Sequence, residues 1–289
     1  MKLTNDNYFS LEASREYFSV SQYKTFLDCP ARAMAEIRGE YKQPMTTALL
    51  VGSYVDAYFE GTLDKFQEEH PEIFKKDGSL KADYIQAETI IERIEADELF
   101  MALMSGKKQV IKTATMFGAK WKIKIDSYLT AANVKAIVKK FPETAEYFVE
   151  GYGAIDDLKI MRSLERIMGK SFIEFWGYDL QTAVYSEVEY LASRRKKKQR
   201  LPTLLSVATK EDETDLEAVH IPHWRRQECL ADVEKNMPKF IAYKKGELEA
   251  PRCGTCAYCR RTKKLTAPID FELVGFNNKE LALMEGKIF

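Results

Sequence analysis

The stretch "GAIDDLKIMRS", Gly153 to Ser163, sets two aspartates and a lysine inside an otherwise apolar run. Read as a strand, it sends alternate side chains to opposite faces: Ile155, Asp157 and Lys159 share one, and Ala154, Leu158 and Ile160 line the other. Asp157 and Lys159 then stand roughly 7 Å apart along the strand. That spacing predicts no tight ion pair and leaves room for a metal ion and its water between the two groups. A solvated edge strand with a surface ion pair is the alternative the segment alone leaves open.

Outward from this strand, the 289-residue chain is long enough to bury a full core. Lys plus Arg and Asp plus Glu are equal at 44 each, so no global field draws it to nucleic acid, and any such binding must come from local patches. The opening "MKLTNDNYFSLEASREYFS" lacks the apolar core of a signal peptide, and no run reaches membrane-spanning length. These features predict an intracellular protein with no membrane partner. Five cysteines, three of them within "RCGTCAYC", form no even disulfide framework and point to a metal or cluster site in a reducing compartment.

The N-terminal part reads as helical. Ser21 is placed to cap a helix through Tyr23, Phe26, Leu27 and Ala31, which Pro30 should kink or break and Gly39 should close. "TTALLVGSYVDAYFEG" predicts a second helix with Leu49, Gly52, Val55 and Phe59 on one face and Asp56 beside them, and "KADYIQAETIIERIEADELFMALMSG" a longer third. The period then changes to two. In "KWKIKIDSYL", Trp121, Ile123 and Ile125 alternate with lysines, giving a half-polar strand that ends in Asp126. A helical insertion precedes the opening strand. After it, "KSFIEFWGYDLQTAVYSEVEYLASRR" predicts one long core helix, "RRKKKQR" a basic turn, "TLLSVATKE" and "LEAVHIP" two strands, and the segment from His223 a last long helix. The run Arg194 to Arg200 is read either as a phosphate contact or as a solvated turn. No repeat or low-complexity linker divides the chain. The expectation is one α/β domain over 1–289, with residues 1–110 mainly helical, 111–245 forming a core and 246–289 carrying the cysteines.

The order Asp126, then Asp157-x-Lys159, then Gln181-x-x-x-Tyr185 resembles the PD-(D/E)xK nuclease superfamily, and the Gln181 to Tyr185 motif resembles its RecB-like branch. "SVSQYKTFLDCP", "LLVGSYVDAYFEG", "FWGYDLQTAVYSE" and "LSVATKEDETDLEAVHIP" are similar, in that order, to phage and prophage RecE-like exonucleases of the exodeoxyribonuclease VIII type. The resemblance covers most of the chain. It implies a restriction-endonuclease-like core, a mixed central sheet flanked by helices with a helical N-terminal part. It also implies a Mg²⁺- or Mn²⁺-dependent exonuclease on linear DNA, acting 5′ to 3′ on duplex in phage-type homologous recombination, in the cytoplasm of a bacterial host. Its partners would be linear duplex ends, single strands and a single-strand annealing recombinase, and some relatives imply a homo-oligomer. A nuclease-fold module that binds DNA ends or protein without cleaving is the rival.

The chemistry suits these residue types, since phosphodiester hydrolysis calls for a hard divalent cation and such ions prefer carboxylate oxygens. The resemblance makes Asp126, Asp157 and the backbone carbonyl of Leu158 metal ligands. It gives Lys159 the attacking water, to orient or deprotonate, and sets Gln181 and Tyr185 at the edge of the site to hold Lys159 and the DNA strand, with Lys210 as a further DNA contact. Two positions depart from the family pattern. Asp56 stands where relatives carry histidine, as a further metal ligand or a structural residue, and Ile125 stands where they carry proline. Cys29 with Cys253, Cys256 and Cys259 resembles the one-plus-three cysteines of [4Fe–4S]-bearing RecB-like nucleases, although "CAYC" is narrower than their last gap; Zn²⁺ and free thiols are the alternatives. His70, His220 and His223 read as structural, and Cys229 as a buried helix residue.

Overall fold

The computed structural model describes residues 1–196, 198–276 and 280; Lys197 of the basic run and the rest of the tail expected to follow the cysteines lie outside them. The elements in chain order are α1 (Leu11–Glu16), α2 (Val20–Asp28), α3 (Pro30–Arg38), α4 (Thr47–Glu60), α5 (Leu63–Glu69), α6 (Ala82–Glu95), α7 (Glu98–Leu103), β1 (Val110–Met116), β2 (Ala119–Ile125), β3 (Ser127–Leu129), α8 (Ala131–Lys140), β4 (Ala154–Met161), α9 (Phe172–Trp176), α10 (Tyr178–Ala192), β5 (Thr203–Thr209), β6 (Leu216–His220), α11 (His223–Lys245) and α12 (Ala257–Arg261). They fall into two compact units interleaved in sequence: residues 1–43, 116–121 and 233 onward form one, and 44–115 with 122–232 the other. Among the described residues no helix is long and apolar enough to cross a membrane.

The second unit is built on a four-stranded mixed sheet ordered β3-β4-β5-β6, with β4 and β5 parallel and the outer pairs antiparallel. Gly153 lets β4 begin hard against β3, because a Cβ there would lie 2.0 Å from the Leu129 carbonyl oxygen. One sheet face, carrying Leu158 and Ala208, packs on α4 and α6 through Val51, Tyr54, Val55, Ile90 and Ile91. On the other, Met161, Leu205 and Val207 pack with Phe172 and Ile221. This is the mixed sheet flanked by helices that the family resemblance implies, and β4, the strand that decides it, runs in its interior rather than along an edge.

In the first unit, Pro30 does what its chemistry requires. It cannot continue α2, so it starts α3 at its first position and forces Cys29 into extended backbone (φ −155°, ψ 98°) between the two helices. Around this break Phe26 stacks on Phe240 with ring centroids 5.1 Å apart, and Tyr23 meets Phe240 edge-on at 5.2 Å.

Several local expectations are corrected. Ser19, not Ser21, caps α2, its hydroxyl accepting the Gln22 N–H at 3.2 Å, while Ser21 sits inside the first turn. The buried face of α4 carries Leu50, Val51, Tyr54 and Val55, and Leu49 is exposed. The third predicted helix is two, because Asp97 caps a new one by accepting the Phe100 N–H. The long core helix also breaks, at Gly177, whose left-handed backbone (φ 62°) separates α9 from α10 and leaves Trp176 exposed. Strand β1 carried no clean alternation and was not anticipated.

Candidate functional site

Asp157 and Lys159 project from β4, Asp126 follows the end of β2, Asp56 lies on α4, and Gln181 and Tyr185 lie on α10. All belong to the second unit. The expected separation of Asp157 and Lys159 does not hold: the Lys159 ammonium pairs with Asp157 Oδ2, and it also donates to the Leu158 carbonyl at 3.1 Å. Strand spacing fixes the backbone, but the four-carbon lysine stem folds back over one residue. The ammonium also lies 5.2 Å from the Tyr178 ring centroid, a cation–π contact the sequence reading missed. Tyr178 reaches this place because the chain breaks at Gly177 immediately before it.

Gln181 donates to Asp157 Oδ1 at 2.9 Å, so it orients the carboxylate rather than the lysine. Tyr185, one turn further along α10, is half-buried. The carboxyl of Asp126 accepts the Leu158 N–H at 3.3 Å through Oδ2 and the Gln109 amide at 3.3 Å through Oδ1. Gln109 also donates to Glu60, one helical turn beyond Asp56, and it has left-handed backbone (φ 53°). Such a conformation is costly for a residue with a side chain and persists where its surroundings hold it. Nothing in the sequence marked it. Asp156, the other aspartate of the opening stretch, points to the opposite sheet face, fully buried, and accepts from Ser206 Oγ at 2.8 Å.

The electrostatics follow from packing acids together. Burial pushes Asp56 up to about 7, with Glu60 and Asp157 adding to the rise and Lys159 opposing it. Burial and then the Asp157 charge raise Asp126 well above the ordinary carboxylate range. Burial alone would lower Lys159, but Asp157 and Asp126 outweigh it and raise it, so the side chain is an ammonium. The donors gathered here are all oxygens, three carboxylates and the Leu158 carbonyl, and their mutual repulsion is what a hard divalent cation would relieve. Asp126, Asp157 and Leu158 make the close set, with Asp56 within electrostatic reach. The Lys210 ammonium donates to the Ala48 carbonyl at 3.2 Å, and the Lys210 carbonyl accepts from Gln86.

The cysteines form a second centre, inside the first unit. Cys29, held extended by Pro30, meets the C-terminal knuckle, and the Sγ atoms of Cys29, Cys253, Cys256 and Cys259 all lie within 4.8 Å of one another. Among the described residues no other group of three or more such ligands closes as tightly. The backbone is arranged for thiolates: Cys256 N–H donates to Cys253 Sγ at 3.3 Å, Cys259 N–H to Cys256 Sγ at 3.4 Å, and Cys253 N–H to Cys29 Sγ at 3.5 Å. Gly254, at φ 85°, permits the tight turn. Burial alone would raise the Cys253 thiol, but donated hydrogen bonds bring it down to about 6, whereas burial pushes Cys29 up to about 12.

Comparison with known proteins adds three findings. A family model described as a PDDEXK-like domain of unknown function (DUF3799) matches residues 19–262. A crystal structure of a candidate exonuclease from Eubacterium rectale is 43% identical, superposes with a TM-score of 0.83, and aligns over 95% of this chain and 99% of that one. No curated protein matches the sequence.

Proposed function

Since the chain belongs to the PDDEXK-like family of that model, we propose that it is a metal-dependent DNA exonuclease with its active site at Asp126, Asp157 and Lys159. The observation that carries the reading is the convergence of Asp126, Asp157, the Leu158 peptide and Lys159 on one point of an interior strand, with Gln181 holding Asp157. Asp126, Asp157 and the Leu158 carbonyl would hold Mg²⁺ or Mn²⁺, and Asp56 would add charge behind them. The bound ion would stabilise the charge developing on a phosphodiester and acidify a water.

The chain's own residues do the rest. Gln181 fixes the Asp157 carboxylate by donating to Oδ1, leaving Oδ2 turned toward Lys159. Lys159, charged and seated over the Tyr178 ring, positions the attacking water by donating to it rather than by removing its proton. Tyr185 stands on α10 one turn beyond Gln181, where it would guide the strand, with Lys210 as a further DNA contact. The likeness to the Eubacterium rectale structure supports exonuclease activity; a duplex end degraded 5′ to 3′, in recombination of the phage type beside an annealing protein in a bacterial cytoplasm, by a chain that self-assembles, rests on the resemblance of the motif order to RecE-like exonucleases alone. An exonuclease must engage an end, so linearised plasmid should be consumed while the closed circle survives. Rapid nicking or linearisation of the circle would overturn the exonuclease reading.

The cysteine centre is proposed as a structural metal site. A tetrahedral ion with metal–sulfur bonds of about 2.3 Å sets its four sulfurs roughly 3.8 Å apart. Cys29 and Cys259 stand 3.6 Å apart and Cys253 and Cys259 3.9 Å. This spacing supports a single Zn²⁺-type ion over a [4Fe–4S] cluster, whose iron–sulfide cube must fit between the thiolates.

A further inference from the structure

A cavity of about 410 Å³ opens at the end of the sheet where β5 begins and β6 finishes, lined by Arg226, Arg200, Lys198, His223, His220 and Tyr147 among others. Its size lies within the roughly 300–1,000 Å³ of small-ligand clefts. None of these residues belongs to the carboxylate site.

At its base is Arg226, only 5% exposed. One guanidinium nitrogen, Nη1, donates to Ser186 Oγ at 2.7 Å and to the Leu201 carbonyl at 2.8 Å. Its Nε is buried with no hydrogen-bond partner, and among the described residues no carboxylate pairs with it. A buried guanidinium without an anion is rare, because leaving a charge desolvated and unpaired is strongly destabilising. Three other arginines show the contrast: Arg195 pairs with Glu189, Arg200 with Glu187 and Arg225 with Asp179. Burial, reinforced by the Arg200 charge, holds Arg226 down to about 10, and both histidines are pushed down by burial and by Arg226. The acids facing the cavity do not neutralise it. Glu146 lies at the rim and acts on His220, and Glu187 is taken by Arg200.

A second feature points the same way. The 23-residue helix α11 starts at His223, which lines the same opening, so the positive end of its dipole lies beside it. Lys198 and His223 stand exposed at the mouth, and Tyr147 and His220, whose ring centroids are 5.4 Å apart, offer flat faces beside it.

We propose that this cavity is a phosphate-binding pocket, separate from the metal-ligand carboxylates, in which Arg226, Lys198 and the start of α11 receive a phosphate group borne on a nucleotide. The phosphate supplies the counter-charge that Arg226 lacks. The aromatic rim suits a nucleoside attached to it, either a free mononucleotide or the end of a strand.

The test uses the full chain in EDTA, so that the carboxylate site is without divalent metal, and measures thermal stabilisation and ³¹P line broadening with three probes: inorganic phosphate, a 5′-mononucleotide, and a short 5′-phosphorylated single strand. Phosphate should stabilise the protein where chloride at matched ionic strength does not, and Arg226→Gln should weaken binding roughly tenfold or more. Should that variant fail to fold, the double variant Lys198→Ala with His223→Ala, both exposed, decides, with binding expected to fall several-fold. Asp157→Ala should bind phosphate as the wild type does, which keeps this result apart from the nuclease reading. Tighter binding of the mononucleotide identifies a free nucleotide as occupant and tighter binding of the oligonucleotide a strand end, whereas binding of both no tighter than inorganic phosphate overturns the assignment to a nucleotide. No phosphate-specific stabilisation, or the same stabilisation in the folded variants, overturns the proposal.

Discussion

Replacing Asp56 by asparagine should make the metal-free protein more stable. Asp56 is raised from 3.8 to about 7 because burial and the neighbouring acids disfavour its charge. A group whose folded-state pKa is raised contributes stability that is fully present below its unfolded pKa and lost as pH rises through the folded value. The window therefore runs from about pH 4 to 7, and above it the ionised carboxylate opposes folding. At about 1.4 kcal/mol per unit, the ceiling is about 4 kcal/mol. Solvent reaching this half-buried side chain reduces the expected gain to about 1–3 kcal/mol. Asparagine keeps the shape and removes the charge. Urea denaturation in EDTA should show Asp56→Asn more stable than the wild type at pH 8 and indistinguishable from it near pH 4. Adding Mg²⁺ should narrow the gap, because the wild type gains binding energy that the variant partly lacks. A variant less stable than the wild type at pH 8 without metal, or one with an undiminished Mg²⁺ increment, would refute the reasoning.

Three further outcomes follow. Arg195→Met should cost about 3–5 kcal/mol of stability, because Glu189 is fully buried and Arg195 takes both of its oxygens; adding Glu189→Leu should recover much of the loss, and a cost under about 1 kcal/mol in urea melts would contradict the pairing. Lys159→Ala should lose DNA degradation while calorimetry still detects Mg²⁺ binding, since an ammonium is no ligand; lost Mg²⁺ binding would make Lys159 structural. Protein purified without oxygen should carry about one zinc per chain by elemental analysis and be colourless, and Cys256→Ser should lower both metal content and melting temperature; a brown preparation containing iron would instead identify a cluster.

The sequence reading reached the sheet and the acids because both leave local signals. Alternation of apolar residues placed β2, short apolar runs placed β4, β5 and β6, and charge inside an apolar strand singled out Asp157 and Lys159. Pro30 and Gly39 marked real helix ends for the same reason, since their backbone limits are intrinsic. What was missed depends on contacts distant in sequence. Gln109 is held in left-handed backbone while bonded to Glu60 and Asp126, and no local pattern announces that. Tyr178 comes under Lys159 because Gly177 divides what the sequence predicts as one continuous helix. In the basic run Arg195 and Arg200 are engaged by Glu189 and Glu187, and Lys198 is the residue of the run that stands exposed at the proposed phosphate pocket. The uncompensated charge sits on Arg226, in a helix whose sequence gives no sign of it.

The central claim, an active site built from Asp126, Asp157 and Lys159, meets its most direct test in end-labelled linear duplex incubated with the wild type and with Asp157→Ala, in Mg²⁺ and in EDTA. The account predicts mononucleotide release by the wild type in Mg²⁺ alone, and a loss of several orders of magnitude in a variant that circular dichroism shows to be folded. Release by the wild type in EDTA, or near-wild-type release by the folded Asp157→Ala variant, would contradict it.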